Sequence, residues 1–182
     1  MTATRLLPVL LLPALALLPL PAPAQQAASA PAPAPAPATG PGEATAKIKA
    51  SPKVYDEKAD AWKDLAAAVT EAKASKKRVL VTFGANWCSW CRSLDALFHN
   101  DPKVKAVLEK GYVPVKVDVG RMTKNLDVAS GYGADLKQTG LPCLVVVGAD
   151  GKAVKVQETG ALEEGKGHSP SKVIAFLEAN AR

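Results

Sequence analysis

Two cysteines in one short segment carry the chemistry that this sequence could perform. Cys88 and Cys91 lie in Trp87-Cys88-Ser89-Trp90-Cys91. An apolar stretch precedes this segment, and apolar residues at helical spacing follow it. On the first turn of a helix, two such cysteines can close a small disulfide ring, and the free N–H groups there stabilise a thiolate. The spacing therefore predicts Cys88 as a nucleophile and Cys91, one turn further along, as the thiol that resolves its mixed disulfide.

The same spacing also occurs in half of a zinc site, which needs two further ligands. A second pair of this kind is absent from the sequence, and the remaining candidate ligands are Cys143 and the two histidines, His99 and His168. A copper- or zinc-binding module, a purely structural disulfide and a non-catalytic binding domain stay open as alternatives. Cys143 can also be interpreted as a small buried hydrophobe, and His99 as a favourable charge at a helix end.

A strand and two helices are predicted around the cysteine pair. Arg78 to Phe83 is short, β-branched and almost continuously apolar, which indicates a strand covered on both faces. Apolar residues at helical spacing predict a helix before it, from about Asp60 to Ala74, and a second helix that begins at the pair. The cysteines are thus placed where a strand turns into a helix.

Further elements follow in an order typical of an α/β sandwich with a central mixed β-sheet flanked by helices. Asp101-Pro102 is a helix start, and the segment through Gly131 and Gly133 is a loop or a helix. The remaining predicted elements are a helix ending at Gly111, strands at Tyr112 to Val119 and Leu141 to Val147, a hairpin turn at Gly148 to Gly151 into a strand at Lys152 to Gln157, and a last helix opened by Ser169-Pro170.

Over most of residues 56–182 the sequence resembles the thioredoxin family. The resemblance is carried by Val79 to Cys91, a strand followed by Trp and the cysteine pair, by Gly140-Leu141-Pro142 before an apolar strand, and by the element order. It implies a thioredoxin-like fold and a cofactor-free thiol–disulfide oxidoreductase acting on cysteine-containing proteins, together with a redox partner protein. It also implies that Pro142 is cis beside the disulfide and leaves the Leu141 backbone free to pair with an extended substrate.

Trp87 and Trp90 flank the two sulfurs, and each could pack against the helix start or contact the substrate. We expect Trp87 to be buried and Trp90 to be the more exposed of the two. Substrate contact and plain packing remain equally open for Trp90.

The sequence departs from the family pattern in three places. Thr82 stands where many members carry a buried acid that helps to deprotonate the resolving thiol, and Lys116 matches a family lysine only weakly. The intervening pair Ser89-Trp90 has neither proline nor histidine, so it lacks the imidazole that stabilises the thiolate of the most oxidising relatives. This favours the reductase direction, although the sequence leaves the direction of electron flow open.

The N-terminal part has the composition of an export signal and a spacer. Residues 1–24 combine Arg5, an apolar run too short for the roughly 20 residues of a membrane span, and a small-residue site for cleavage after Ala24. Residues 25–46 form an Ala/Pro-rich linker that we expect to be disordered, and residues 47–182 form the domain. These features predict a periplasmic protein without a membrane span after cleavage.

The charge balance does not favour a nucleic-acid partner. Removal of residues 1–24 takes away only Arg5 of the 23 basic residues, which leaves 22 against 17 acidic ones. The lysines are scattered along the sequence without aromatic interleaving or a nucleic-acid module, as on a solvated surface. These lysines therefore do not indicate a nucleic-acid partner. We expect the protein to be a monomer.

Overall fold

The computed structural model of the chain describes residues 53–181. The predicted signal peptide, residues 1–24, and the predicted linker, residues 25–46, lie outside the described residues. The helices are α1 (Ala61–Ser75), α2 (Ser89–Asn100), α3 (Pro102–Gly111), α4 (Leu126–Gly131), α5 (Leu136–Thr139) and α6 (Pro170–Asn180). The strands are β1 (Arg78–Gly84), β2 (Tyr112–Asp118), β3 (Cys143–Val147), β4 (Ala153–Glu158), β5 (Glu163–Glu164) and β6 (Gly167–His168), with a 3₁₀ turn at Thr159–Leu162.

The main sheet of the described residues has four strands in the order β2-β1-β3-β4. Strand β1 pairs with β2 in parallel, and the β1–β3 and β3–β4 pairs are antiparallel, so the sheet is mixed. Gly84 at the end of β1 stands opposite Asp118 at the end of β2. The cysteine pair therefore follows a central strand, at the edge of the sheet where β1 and β2 both end.

Helices cover both faces of the sheet, as the apolar character of β1 predicts. Val79, Val81 and Phe83 point to the face covered by α1 and α4, whereas Leu80 points to the face covered by α2, α3 and α6. Because both faces are covered, almost every residue of β1 is buried. The predicted α/β architecture with a central mixed sheet is confirmed.

Most helix boundaries follow the local capping signals. The side chain of Asp60 accepts from the Lys63 N–H at the start of α1, and Asp101 accepts from Lys103 and Val104 at the start of α3. Pro102 occupies the first turn of α3, where its missing N–H leaves no bond unmade.

The segment around Gly131 and Gly133, for which the sequence left a loop and a helix open, contains the two short helices α4 and α5. These helices have six and four residues, which is too short for a helical period to be recognised in the sequence. They form because Val128, Ala129 and Leu136 pack against the α1 face of the sheet. The β5–β6 hairpin is also absent from the predicted elements.

Among residues 53–181, no helix combines the length and apolar character required to cross a bilayer.

Candidate active site

Cys88 and Cys91 are joined in a disulfide at the N-terminus of α2. Their Cα atoms are 5.3 Å apart, within the usual range for bonded cysteines. Cys88 is the N-cap residue of α2, with an extended backbone, and its sulfur accepts a hydrogen bond from the Cys91 N–H at 3.1 Å. The strand-to-helix turn therefore aims a helix N-terminus at the Cys88 sulfur, as the sequence predicted.

The two sulfurs differ in exposure. Cys88 is 6% exposed and Cys91 is completely buried, so an incoming protein can reach only Cys88. A groove of about 430 Å³ opens at Cys88. Its lining residues are Trp87, Cys88, Ser89, Trp90, Met122, Gly140 and Leu141. Met122, on the loop before α4, is a groove residue that the sequence reasoning missed.

Leu141 lines the groove, and the buried Pro142 follows it in the chain. The peptide bond between them is cis, and the Leu141 carbonyl oxygen lies 3.9 Å from the Cys88 sulfur. The β1–β3 pairing ends at Cys143, so both residues lie outside the sheet pairing that the predicted strand had assigned to them. The Thr159 hydroxyl donates to the Pro142 carbonyl at 2.7 Å and ties this segment to the 3₁₀ turn.

The expected exposures of the two tryptophans are wrong. Trp87 is 50% exposed and donates its indole N–H to the Gly120 carbonyl at 2.6 Å. Trp90 is only partly exposed, because it packs edge-on against His168 of β6 with ring centroids 5.4 Å apart. The β5–β6 hairpin, which the sequence reasoning missed, supplies the partner that covers Trp90.

His168 is a buried imidazole beside this tryptophan. Neither ring nitrogen has a hydrogen-bond partner among residues 53–181, and burial lowers the pKa of His168. The unfolded chain then takes up a proton at a higher pH than the folded chain. Stability is therefore complete above the ordinary histidine pKa of about 6.5 and falls as the pH drops below it.

We expect the free energy of unfolding to decrease below about pH 6.5, by at most about 1.4 kcal/mol per pH unit for this one proton. Urea unfolding at several pH values measures this slope. His168→Phe should remove it, because the ring is kept and the titrating group is lost. The comparison variant is His99→Asn, in an exposed side chain; an equal loss of slope in this variant would contradict the assignment to His168.

Asn86, two residues before Cys88, holds the segment in front of α1 against the site. Its side-chain oxygen Oδ1 accepts from the Val54 and Tyr55 N–H groups at 2.8 and 2.9 Å, and its side-chain Nδ2 donates to the Tyr55 backbone carbonyl at 2.9 Å. The Asn86 side-chain amide also donates a hydrogen bond to the Glu57 carboxylate, and this hydrogen bond lowers the pKa of Glu57. The sequence by itself does not single out Asn86, because its partners are 31 and 32 residues away.

Asn86→Ala should lower the free energy of unfolding by about 2–3 kcal/mol, since three partly buried backbone bonds are lost at about 1 kcal/mol each. Chemical denaturation of the reduced and oxidised proteins measures the change. Asn100→Ala, at an exposed position on the last turn of α2, is the matched control and should have little effect. Equal stabilities of the two variants would contradict the role of Asn86 in holding this segment.

The residue that Asn86 holds in place, Tyr55, is packed beside the disulfide. Tyr55 is 2% exposed and forms a buried cluster with Cys88 and Cys91. Gly84 leaves the space for this contact, because a Cβ there would overlap the Tyr55 hydroxyl and lie 2.9 Å from the Cys91 sulfur. Burial, and then the negative charges of Asp95 and Asp118, raise the pKa of Tyr55 well above its usual value.

Acidic residues lie near the site, although Thr82 itself is a buried threonine. Asp118 is 5% exposed and is the last residue of β2, whereas Thr82 belongs to β1. Asp95, on α2, forms an ion pair with Lys116 at 2.9 Å. This ion pair at the protein surface accounts for Lys116. The carboxylates therefore reach the site from elements other than the strand on which the family pattern places the acid.

The described residues do not assemble the alternative metal site. Between residues 53 and 181, no three His, Cys, Asp or Glu side chains are grouped so that they could hold a metal ion. His99 is exposed near the end of α2, where its Nδ1 lies 2.7 Å from the Asp95 carbonyl. Cys143 is a fully buried free cysteine in β3, and burial raises the pKa of its thiol.

Comparisons with known proteins find one family model and several similar solved structures. A family model described as thioredoxin-like matches residues 60–149. A disulphide isomerase from Xylella fastidiosa Temecula1 is 38% identical with a TM-score of 0.63, and the match covers 70% of this chain and 96% of that one. The oxidised C-terminal domain of DsbD from Neisseria meningitidis is 27% identical with a TM-score of 0.49, over 67% of this chain and 97% of that one. No curated protein matches the chain at a significant level.

Proposed function

Because the chain belongs to the thioredoxin-like family, we propose that it is a thiol–disulfide oxidoreductase that exchanges disulfides with cysteine-containing proteins through Cys88 and Cys91. The observation that carries the proposal is the disulfide at the N-terminus of α2, with one sulfur facing a groove and the other buried. A purely structural bridge does not require a helix N-terminus or an accessible sulfur. The similarity to a disulphide isomerase agrees with this function.

Cys88 is the proposed nucleophile. In the dithiol form, the backbone N–H groups at the start of α2 stabilise the Cys88 thiolate, and the Cys91 N–H already points at this sulfur at 3.1 Å. The thiolate attacks a substrate disulfide, forms a mixed disulfide with one substrate sulfur and releases the other as a thiolate. Cys91 then attacks the Cys88 sulfur, closes the internal disulfide and releases the reduced substrate.

The groove around Cys88 is the proposed binding surface for the substrate. Trp87, Trp90 and Leu141 line it, and the buried Pro142 follows Leu141 through a cis peptide bond. Leu141 lies outside the β1–β3 pairing, so its backbone can pair with an extended substrate segment beside the Cys88 sulfur. This pairing would align a substrate disulfide with the nucleophile.

The reductase direction is part of the proposal. Ser89 and Trp90 provide no imidazole between the cysteines, so the added thiolate stabilisation of strongly oxidising relatives is missing. A less stabilised thiolate makes the dithiol form a better reductant. A redox partner protein would return the pair to the dithiol state after each turnover.

The sequence supports an exported protein as the setting of this reaction. Cleavage after Ala24 would leave a mature chain that begins with the Ala/Pro-rich residues 25–46. This segment would serve as a tether or spacer in front of the domain. In an oxidising compartment such as the periplasm, disulfide-bonded clients are available. We propose that the protein works there as a monomer and without a cofactor.

Equilibration of the purified protein with glutathione redox buffers tests the proposed function. Alkylation and mass analysis then give the oxidised fraction of the Cys88–Cys91 pair at each buffer ratio. A reversible two-electron transition supports the function, and a potential near about −270 mV supports the reductase direction, whereas one near about −120 mV identifies an oxidant. A pair that does not exchange with glutathione would contradict the function.

A further inference from the structure

The Tyr55 hydroxyl is a buried polar group that the exchange reaction described so far does not use. Tyr55 is 2% exposed, and within the described range 53–181 its hydroxyl has no hydrogen-bond partner. Buried hydroxyl groups almost always have a partner, so an unpaired one needs an explanation. Its location beside the cysteine pair supplies one.

The hydroxyl and the Cys91 sulfur lie on two sides of the same small space. A Cβ at Gly84 would lie 2.9 Å from the Cys91 sulfur and 2.6 Å from the Tyr55 ring carbon that carries the hydroxyl. Because residue 84 is glycine, it places no side-chain atom in this space. The space is closed to solvent, because Tyr55, Gly84 and Cys91 are all buried.

The redox state of Cys91 decides whether this hydroxyl has a strong acceptor. In the disulfide, the Cys91 sulfur is neutral and bonded to Cys88, so it accepts hydrogen bonds only weakly. When that bond is open, a Cys91 thiolate is a charged acceptor in a buried site, where hydrogen bonds to ions are strong. A strong hydrogen-bond acceptor for the unpaired Tyr55 hydroxyl is therefore present only when the Cys88–Cys91 disulfide is open and Cys91 is a thiolate.

We propose that the Tyr55 hydroxyl donates a hydrogen bond to the Cys91 thiolate and so promotes resolution of the mixed disulfide in the absence of an acid at Thr82. The proposal rests on the proposed function and assigns a further residue to its second step. The Tyr55 hydroxyl takes the place of the family's buried acid. It does not remove the proton from Cys91 but stabilises the Cys91 thiolate once the proton has left.

The charges around Tyr55 explain why a neutral donor is needed. Asp95 on α2 and Asp118 at the end of β2 both act on the Tyr55 hydroxyl, and Lys116 of β2 pairs with Asp95. Burial and these carboxylates raise the pKa of Tyr55, so the hydroxyl keeps its proton throughout the reaction. The same carboxylates disfavour a second negative charge nearby, and a hydrogen bond from Tyr55 offsets this effect on Cys91.

The step is balanced without any further reactant. The Cys91 thiolate attacks the Cys88 sulfur, the Cys88–Cys91 bond forms, and the bond from Cys88 to the substrate sulfur breaks. The substrate sulfur leaves with the electron pair and takes up one proton, which equals the proton that Cys91 lost on ionisation. Over the attack by Cys88 and this resolution step together, the cysteine pair is oxidised by two electrons and the substrate disulfide is reduced by two, while Tyr55 remains neutral.

Tyr55→Phe tests this assignment, because it removes the hydroxyl and keeps the ring. In a Cys88→Ala background, the ultraviolet absorbance of the thiolate gives the pKa of the Cys91 thiol as a function of pH. We expect the tyrosine variant to have about tenfold less Cys91 thiolate at a given pH, from the loss of one charge-assisted hydrogen bond. With Cys88 intact, release of glutathione from its mixed disulfide should slow about tenfold, and the difference should vanish at high pH.

Tyr112→Phe is the matched control. Tyr112 is also buried, and its hydroxyl donates to the Leu177 carbonyl at 2.6 Å, on a different part of the fold. This variant loses a buried hydrogen bond but should keep the Cys91 titration and the pH profile of glutathione release. Asn86→Ala is a second test variant, because it releases the segment that carries Tyr55 and should raise the pKa of Cys91 in the same direction.

Two results would contradict the proposal separately from the proposed function. An unchanged Cys91 titration in Tyr55→Phe would overturn the assignment of Tyr55, even if the parent protein exchanges with glutathione normally. An equal shift in Tyr112→Phe would also overturn it, since the effect would then follow from lost stability. Absence of glutathione exchange in the parent protein would refute the function, whereas the Cys91 titration would still measure the hydrogen bond.

Discussion

Cys88→Ser is expected to reduce thiol–disulfide exchange to the uncatalysed rate. A serine hydroxyl keeps the size of the side chain but is not ionised near neutral pH and cannot form a disulfide. The helix N-terminus that stabilises a thiolate then has no sulfur to act on. Reduction of a disulfide-bonded model substrate such as insulin, with dithiothreitol as the electron source, measures the loss.

Cys91→Ser should give a different result from Cys88→Ser. The Cys88 thiolate can still attack, but the resolving thiol is missing, so a mixed disulfide accumulates. Non-reducing electrophoresis and mass analysis after incubation with oxidised glutathione or insulin detect this adduct at Cys88. If the adduct formed on Cys143 instead, or if both serine variants turned over at the parent rate, the assignment of the two roles would be refuted.

Cys143→Ala is the matched control for both serine variants. Its thiol is fully buried in β3, and burial raises the pKa, so little thiolate is available for exchange. We expect this variant to keep the parent rate and to form no adduct of its own. A large loss of activity would show that the third cysteine takes part in the exchange.

The second large effect is expected for Gly84→Ala, which should lower the free energy of unfolding by about 3 kcal/mol. A methyl group there would overlap the Tyr55 hydroxyl and lie 2.9 Å from the Cys91 sulfur. Tyr55 is held through its backbone by Asn86, and Cys91 is held by the helix and the disulfide. Movement of Tyr55 or Cys91 away from the added methyl group would therefore cost free energy.

Gly131→Ala is the control for the effect of a methyl group alone. The nearest atom to a Cβ at Gly131 is 3.6 Å away on the Trp62 ring, an ordinary van der Waals distance. This residue ends α4, where alanine has the better helix propensity, so the change should be neutral or stabilise by up to about 1 kcal/mol. Urea unfolding of both variants gives the comparison, and equal stabilities would contradict the close contact at Gly84.

The Gly84 variant also connects stability with chemistry. If Tyr55 is displaced, the Cys91 thiolate loses the donor that we propose for it, and if Cys91 is displaced, the disulfide closes less readily. Both outcomes lower the rate of resolution, whereas attack by Cys88, whose sulfur faces the groove, is affected less.

The amino-acid sequence by itself determined the reactive pair and the main elements around it. Cys88 and Cys91 are close in sequence, so their spacing and the adjoining strand and helix patterns are local signals. The same holds for the caps at Asp101 and Pro102 and for the continuous apolar run of β1. Local signals can be recognised because the interacting groups lie within one or two helical turns of each other.

Only the tertiary structure decided what surrounds the sulfurs. Tyr55 and Asn86 lie 31 residues apart and meet because α1 and β1 return the chain to the same edge of the sheet. His168 covers Trp90 through a two-stranded hairpin that is too short to have a recognisable pattern, which reversed the expected exposures of Trp87 and Trp90. Such contacts depend on how distant segments pack, and no periodicity within one segment records the partner that a buried polar group will have.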